Sequence, residues 1–196
     1  MSNRMVSLFF LFLILLLLGA FVWGTYNRLV KREEAVKEAW SQVENQYQRR
    51  VDLVMNLVET VKGYAEHEQE TLSRVVEARA EATRMMVDAE NLNAESLEAF
   101  GKAQEELSGT LSRLMLVIEQ YPDLKANENF IMLQGQLEGT ENRIAFERKE
   151  FNETVNRYNV CRRRFPRNLV ARLLGFKRQP YFEAGSGKET VPDVQF

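Results

Sequence analysis

Residues 5–27, MVSLFFLFLILLLLGAFVWGTYN, lie between Arg4 and Arg28 without a single charge. Crossing about 30 Å of hydrocarbon takes roughly 20 apolar residues in a helix. Inside hydrocarbon each backbone N–H and C=O must be bonded within the segment itself, so this run is expected to be one membrane-spanning helix. Phe9, Phe10, Leu13, Leu16 and Phe21 are its candidate lipid contacts, with Trp23 and Tyr26 where amphipathic rings favour the headgroup layer. A cleaved signal peptide has a shorter apolar core and a small-x-small cleavage site. Here the apolar core continues through Phe21, Val22 and Trp23, and no cysteine near its end marks a lipoprotein signal. The run is therefore read as an uncleaved anchor. A buried core helix is the rival reading, and no face of the run is polar enough to meet solvent.

The chain beyond the anchor is long enough for one domain. With only 10 Gly and 4 Pro, and 28% charged residues, it favours helix over strand. Cys161 is the single cysteine, which excludes an internal disulfide framework. The net charge of -2 conceals a segregation. Residues 28–153 hold 16 Lys and Arg against 25 Asp and Glu, whereas residues 154–182 hold 8 basic residues and no acid.

Apolar residues at Val36, Trp40, Val43, Tyr47, Val51, Val54, Leu57, Val58 and Val61 recur in steps of three and four, the period of one helical face. No Gly or Pro interrupts them before Gly63, so the anchor is expected to run on into a helix over 29–64. That helix would reach about 60 Å from the membrane at 1.5 Å per residue. A reversal over 63–67 leads to a second helix over 68–90, with Leu72, Val75, Val76, Arg79 and Met86 on its inner side. Asn91 to Glu95 reads as a loop. The third helix spans 96–120 on Leu97, Phe100, Leu107, Leu111, Leu114 and Ile118, and Tyr121-Pro122-Asp123 stops it. Asn127 caps a fourth, over 127–165, striped by Phe130, Leu133, Leu137, Ile144, Phe151, Val155 and Tyr158 and ended by Phe165-Pro166. Gly135 and Gly139 fall four apart on it, at a propensity cost of about 1 kcal/mol each.

Four amphipathic segments joined by short turns predict an all-α, antiparallel four-helix bundle over 28–165, because each stripe needs a partner to leave water. Residues 1–4 are a short flank, 166–182 a basic amphipathic segment, and 183–196 a polar, disordered tail. An even number of helices returns the chain to the bilayer. Arg162, Arg163, Arg164, Arg167, Arg172, Lys177 and Arg178, with Leu173, Leu174 and Phe176, then suit an anionic lipid surface. The alternative has the apolar residues capping the end of the bundle while the arginines face water. Nucleic acid is excluded for want of aromatic interleaving or a recognised motif. Arg4 precedes the anchor, and Arg28, Lys31, Arg32 and Lys37 come after it. The excess of positive charge after the span favours a cytoplasmic bundle, with the N-terminus outside.

The sequence holds no chemistry that points to an enzyme. One histidine, His67, has no second histidine or cysteine cluster with which to hold a metal. Carboxylates are spread among Lys and Arg along helix faces, and neither a phosphate-cradling glycine loop nor a nucleophile elbow occurs. Catalytic, cofactor and metal residues are all expected to be absent, as is a small-molecule substrate.

Several segments in order resemble the LemA family, from about residue 26 to residue 182. They are Glu38-Ala39-Trp40, Arg49-Arg50-Val51-Asp52-Leu53, the run from Asn56 through Gly63-Tyr64-Ala65 with His67-Glu68, Leu111-Ser112-Arg113-Leu114, Tyr121-Pro122-Asp123-Leu124-Lys125-Ala126-Asn127, Leu137-Glu138-Gly139-Thr140-Glu141-Asn142-Arg143-Ile144, Phe165-Pro166 and Tyr181-Phe182-Glu183. The resemblance implies a bacterial single-pass membrane protein with an antiparallel helical bundle, and it brings no catalytic residues. Met55 stands where the family often has proline, which implies a straighter first helix.

Two roles are expected. One is a membrane-anchored scaffold that binds a protein partner, or further copies of itself, through Asn127, Asn129, Glu138, Glu141, Asn142 and Arg143. The other is a membrane-organising protein acting on anionic lipid through its basic segment.

Overall fold

The computed structural model describes residues 3–65 and 67–183. Every regular element among them is helical: α1 Asn3–Lys62, α2 Gln69–Arg84, a 3-10 turn Ala89–Asn91, α3 Ala94–Ile118, α4 Pro122–Lys125, α5 Glu128–Arg163 and α6 Arg167–Leu173. The expected tail, apart from Glu183, lies outside the described residues. The chain forms two units. One comprises residues 3–37 and 153–179, the other residues 38–152 and 180–183.

In the larger unit, the stripe of α1 is buried throughout, from Trp40 and Val43 to Leu57 and Val61. Its lower half joins Leu72, Val75, Ala78 and Ala82 of α2, Leu107, Leu114 and Ile118 of α3, Leu124 of α4, and Phe130, Leu133 and Leu137 of α5 in one core. The upper half is aromatic. Trp40 lies edge-on to Phe100 at 5.6 Å, to Phe151 at 5.2 Å and to Phe182 at 5.9 Å between ring centroids. Tyr47 adds a 4.8 Å contact with Phe100. Buried indole N–H groups need a partner, and Trp40 Nε1 donates to the carbonyl of Val87 at 2.6 Å.

That bond marks where helix two departs from its expected course. The helix stops at Arg84, not near 90, and Val87 leaves it to meet Trp40. Asp88 then accepts from the Glu90 N–H and starts the 3-10 turn. Small side chains, Ala78 and Ala82, take the last two core positions of α2 after Leu72 and Val75, while Val76 is exposed. Arg79 is half-buried and donates to the Val51 carbonyl, and Met86 lies beyond the helix. α3 begins at Ala94, two residues earlier than expected, because Asn93 and Ser96 exchange side-chain and backbone bonds as a capping box. Pro122 starts the short α4, where its missing N–H costs nothing. Asn127 Oδ1 accepts from the Phe130 N–H at 3.1 Å, capping α5. α1 passes through Met55 without a break.

In the smaller unit, Leu29 of α1, Cys161 of α5 and Ala171 of α6 are buried together, with Phe176 packed against them. Gly175 ends α6 at φ +77, a conformation that costs glycine nothing. Its N–H bonds to the Arg172 carbonyl, and the Phe176 N–H reaches back to Ala171. This pair of bonds is the Schellman ending, and it turns Phe176 onto the core.

Candidate membrane-surface site

The apolar run of α1 is long enough to span a membrane. Its best 18-residue window has a mean hydropathy of 3.0, and none of it is buried. Phe9, Phe10, Leu13, Leu16, Phe21 and Trp23 all stand exposed, as lipid contacts would. Tyr26 is shared: its ring packs edge-on to Phe176 at 5.8 Å.

That contact brings the basic segment, within the smaller unit, to the end of the apolar run. The apolar residues of the segment do not all turn the same way. Val170, Ala171 and Phe176 face the protein, whereas Leu169 is 60% exposed, Leu173 80% and Leu174 44%. Phe165, not among the expected contacts, is 79% exposed beside them. Arg163, Arg164, Arg172, Lys177 and Arg178 are exposed around these residues. Arg162 and Arg167 have other work. Arg162 Nε donates to the Phe176 carbonyl at 2.8 Å, and Arg167 lies 3.8 Å from Cys161 Sγ.

Side chains of α5 bond to the backbone of the chain after α6. Tyr158 donates to the Lys177 carbonyl at 2.8 Å, and Asn159 exchanges two bonds with the backbone of Gln179. In the larger unit Asn152 does the same for Phe182, both at 2.8 Å, while the Arg148 guanidinium stacks 4.3 Å from its ring. No sequence pattern announces these clamps, because asparagine on a helix face reads as solvated surface until a distant strand of backbone lies over it.

Burial, and then the negative charge of Glu33, push the Tyr158 phenol up to about 12 from an ordinary 10.0, against the pull of Arg162. A phenol is neutral on the acid side of its pKa. The stability linked to this shift is therefore complete below pH 10 and is lost as pH rises toward 12. Tyr158→Phe is expected to remove that dependence and to cost about 1 kcal/mol at neutral pH through the lost bond to Lys177. Tyrosinate absorbance, compared between wild type and variant, checks it. A Tyr158 component ionising near pH 10 would contradict the assignment.

Two of the expected partner-surface residues are engaged within the chain itself. Asn127 is spent on capping and donates to Tyr64 Oη at 2.8 Å. Glu141 pairs with Arg50 at 3.2 Å. Asn129, Glu138, Asn142 and Arg143 remain exposed. Gly135 and Gly139, read onto the stripe of α5, instead face outward, and a Cβ added to either meets nothing within 4 Å. The most consequential polar residue has no signature in the sequence. Arg50 is 2% exposed and donates to the Gln104 carbonyl at 3.1 Å and to Ser108 Oγ at 2.8 Å. Burial lowers its pKa and Glu141 opposes the shift. Its sequence neighbour Arg49 is exposed, so nothing local separates the two.

Among the described residues no group of three His, Cys, Asp or Glu could hold a metal ion. An open groove of about 720 Å³ between α2 and α3 is lined by Arg74, Glu77, Glu81, Glu106, Gly109 and Arg113. Arg74 is paired with Glu70, and Glu81 with Arg84.

The LemA family model matches residues 39–196. The chain belongs to the LemA family. It is 30% identical over 182 residues to magnetosome protein MamQ of Magnetospirillum gryphiswaldense, covering 84% of this chain and 67% of that one. A second magnetosome protein, MamQ 2 of Paramagnetospirillum magneticum, is 28% identical over 184 residues, with the same coverage of 84% and 67%. Protein LemA of Metamycoplasma hominis is 24% identical over 179 residues, or 90% of this chain and 78% of its own. Membership in the LemA family and the exposed apolar helix together point to a membrane-associated, anchored protein.

Proposed function

We propose that this LemA-family chain is a non-catalytic, membrane-anchored scaffold of the bacterial inner membrane. Its long helices form an antiparallel bundle on the cytoplasmic side, and α6 makes a second contact with anionic lipid. One observation carries the lipid contact. Leu169 and Leu173 stand exposed among arginines, on a segment packed through Phe176 against Tyr26 at the end of the apolar run. Apolar side chains on a basic face gain both from burial at the headgroup boundary and from attraction to anionic lipid, about 1 kcal/mol per Lys or Arg near the surface. Similarity to two magnetosome proteins supports a membrane-associated role. Membrane shaping through the same segment is the alternative role, and it would add vesicle remodelling to binding.

The lipid contact is read with an environment-sensitive dye on Leu173→Cys in the full-length chain, since native Cys161 is buried. Emission is expected to shift to the blue in vesicles containing phosphatidylglycerol, and to move back as salt screens the attraction. Replacing Arg163, Arg164 and Arg172 together by Gln abolishes the shift. Arg162 stays in place because it holds Phe176. The same emission in phosphatidylcholine vesicles as in anionic ones would refute the contact. For orientation, a cytoplasmic reporter fused after Phe196 is expected to be active and a periplasmic one silent. The reverse would place the domain outside.

A further inference from the structure

On α5 the face turned away from the core carries Met132, Gly135, Gly139, Asn142 and Phe146, in alternating steps of three and four. Met132 is 54% exposed and Phe146 59%, and the neighbouring Ile131 is 55% exposed. Met132 and Phe146 thus leave large apolar side chains in water at the two ends of this stripe. The stripe has the heptad spacing of a coiled-coil seam, with Met132, Gly139 and Phe146 at one core position and Gly135 and Asn142 at the other. Glu138 and Arg143 flank it on opposite sides. Both are exposed, and neither is ion-paired among the described residues.

We propose that this face binds a second copy of the chain, parallel and in register. In a parallel pair, the residue preceding one core position faces the residue five places further along the other helix. Glu138 of each copy then meets Arg143 of the other, twice over by the two-fold symmetry. An antiparallel pair sets these flanking positions each against its own kind and forfeits both contacts. Asn142 at the seam opposes its own copy, where two amides can bond to one another and penalise a shifted register. The open space over Gly135 and Gly139 lets the two helices approach closely. The parallel sense also follows from the anchor, because two copies inserted in one membrane run the same way. In that respect the proposal rests on the anchoring reading.

Oxidative cross-linking of the full-length chain in membranes tests it, with the wild type and its buried Cys161 as background. Asn142→Cys is expected to give a covalent dimer, and Glu105→Cys, exposed on α3, to give none. Added to Asn142→Cys, either Glu138→Arg or Arg143→Glu lowers the cross-linked fraction roughly fivefold, and the two together restore it. The proposal is overturned if Asn142→Cys yields no dimer, if Glu105→Cys cross-links equally well, or if the double reversal fails to restore pairing. Fractionating the same samples into membrane and soluble pools tests the anchoring separately.

Discussion

Trp40→Ala is expected to lower the stability of the helical domain by about 4 kcal/mol, near the upper end for removing a buried aromatic. Trp40 is fully buried and touches the rings of Phe100, Phe151 and Phe182, so its loss opens a cavity bordered by three elements distant in sequence. It also strands the Val87 carbonyl, whose bond to Nε1 holds the chain after α2 in place. Trp40→Phe keeps much of the ring and loses the donor, and should cost about half as much. The order Trp40→Ala, then Trp40→Phe, then wild type should appear in urea unfolding followed by far-ultraviolet circular dichroism in detergent. Trp23→Phe, on the exposed apolar run, should not shift the transition. A Trp40→Ala chain within about 1 kcal/mol of wild type would mean that the aromatic cluster does not hold the domain together.

The second large effect is an asymmetry between two partners of one ion pair. Glu141→Ala should destabilise by about 3 kcal/mol, whereas Arg50→Met should cost about 1 kcal/mol. The side chain of Arg50 is 3% exposed and that of Glu141 49%. Removing Glu141 leaves a guanidinium charge in the core with only the neutral acceptors Gln104 and Ser108, and its Nε has no partner even before the substitution. Removing Arg50 leaves a carboxylate that water already reaches, and methionine fills the vacated space with apolar volume. The same unfolding measurement decides it. Equal losses, or a larger loss for Arg50→Met, would show that the charge is not confined as its burial indicates.

These two residues also mark the limit of what periodicity reveals. The stripe of α1 is legible because burial along a helix repeats every 3.6 residues, and Trp40 falls on it. Arg50 falls beside the same stripe, one residue before Val51, and its neighbour Arg49 looks identical from the sequence. Only the acceptors brought in by α3, more than fifty residues away, and by Glu141 on α5 make one of them a core residue. The candidate lipid segment is legible in composition, as eight basic residues without an acid, but its division is not. Whether Leu173 or Ala171 faces the protein depends on how the Gly175 turn folds Phe176 back toward Leu29 and Tyr26.

The glycines of α5 are legible in the period. At about 100° per residue, Gly135 and Gly139 each lie roughly 200° around the helix from Leu137, so the pattern that buries Leu133, Leu137 and Ile144 turns both glycines outward. By itself, then, the sequence determined the apolar anchor, the helical class, most helix stops and the family, because charge, period, proline and capping residues act over a few neighbours. The tertiary structure decided which polar groups are buried, where helix two gives way to Val87, and how the C-terminal segment is clamped by Asn152 and Asn159. Each of those outcomes depends on a hydrogen-bond partner or a packing surface dozens of residues away, and no local pattern encodes it.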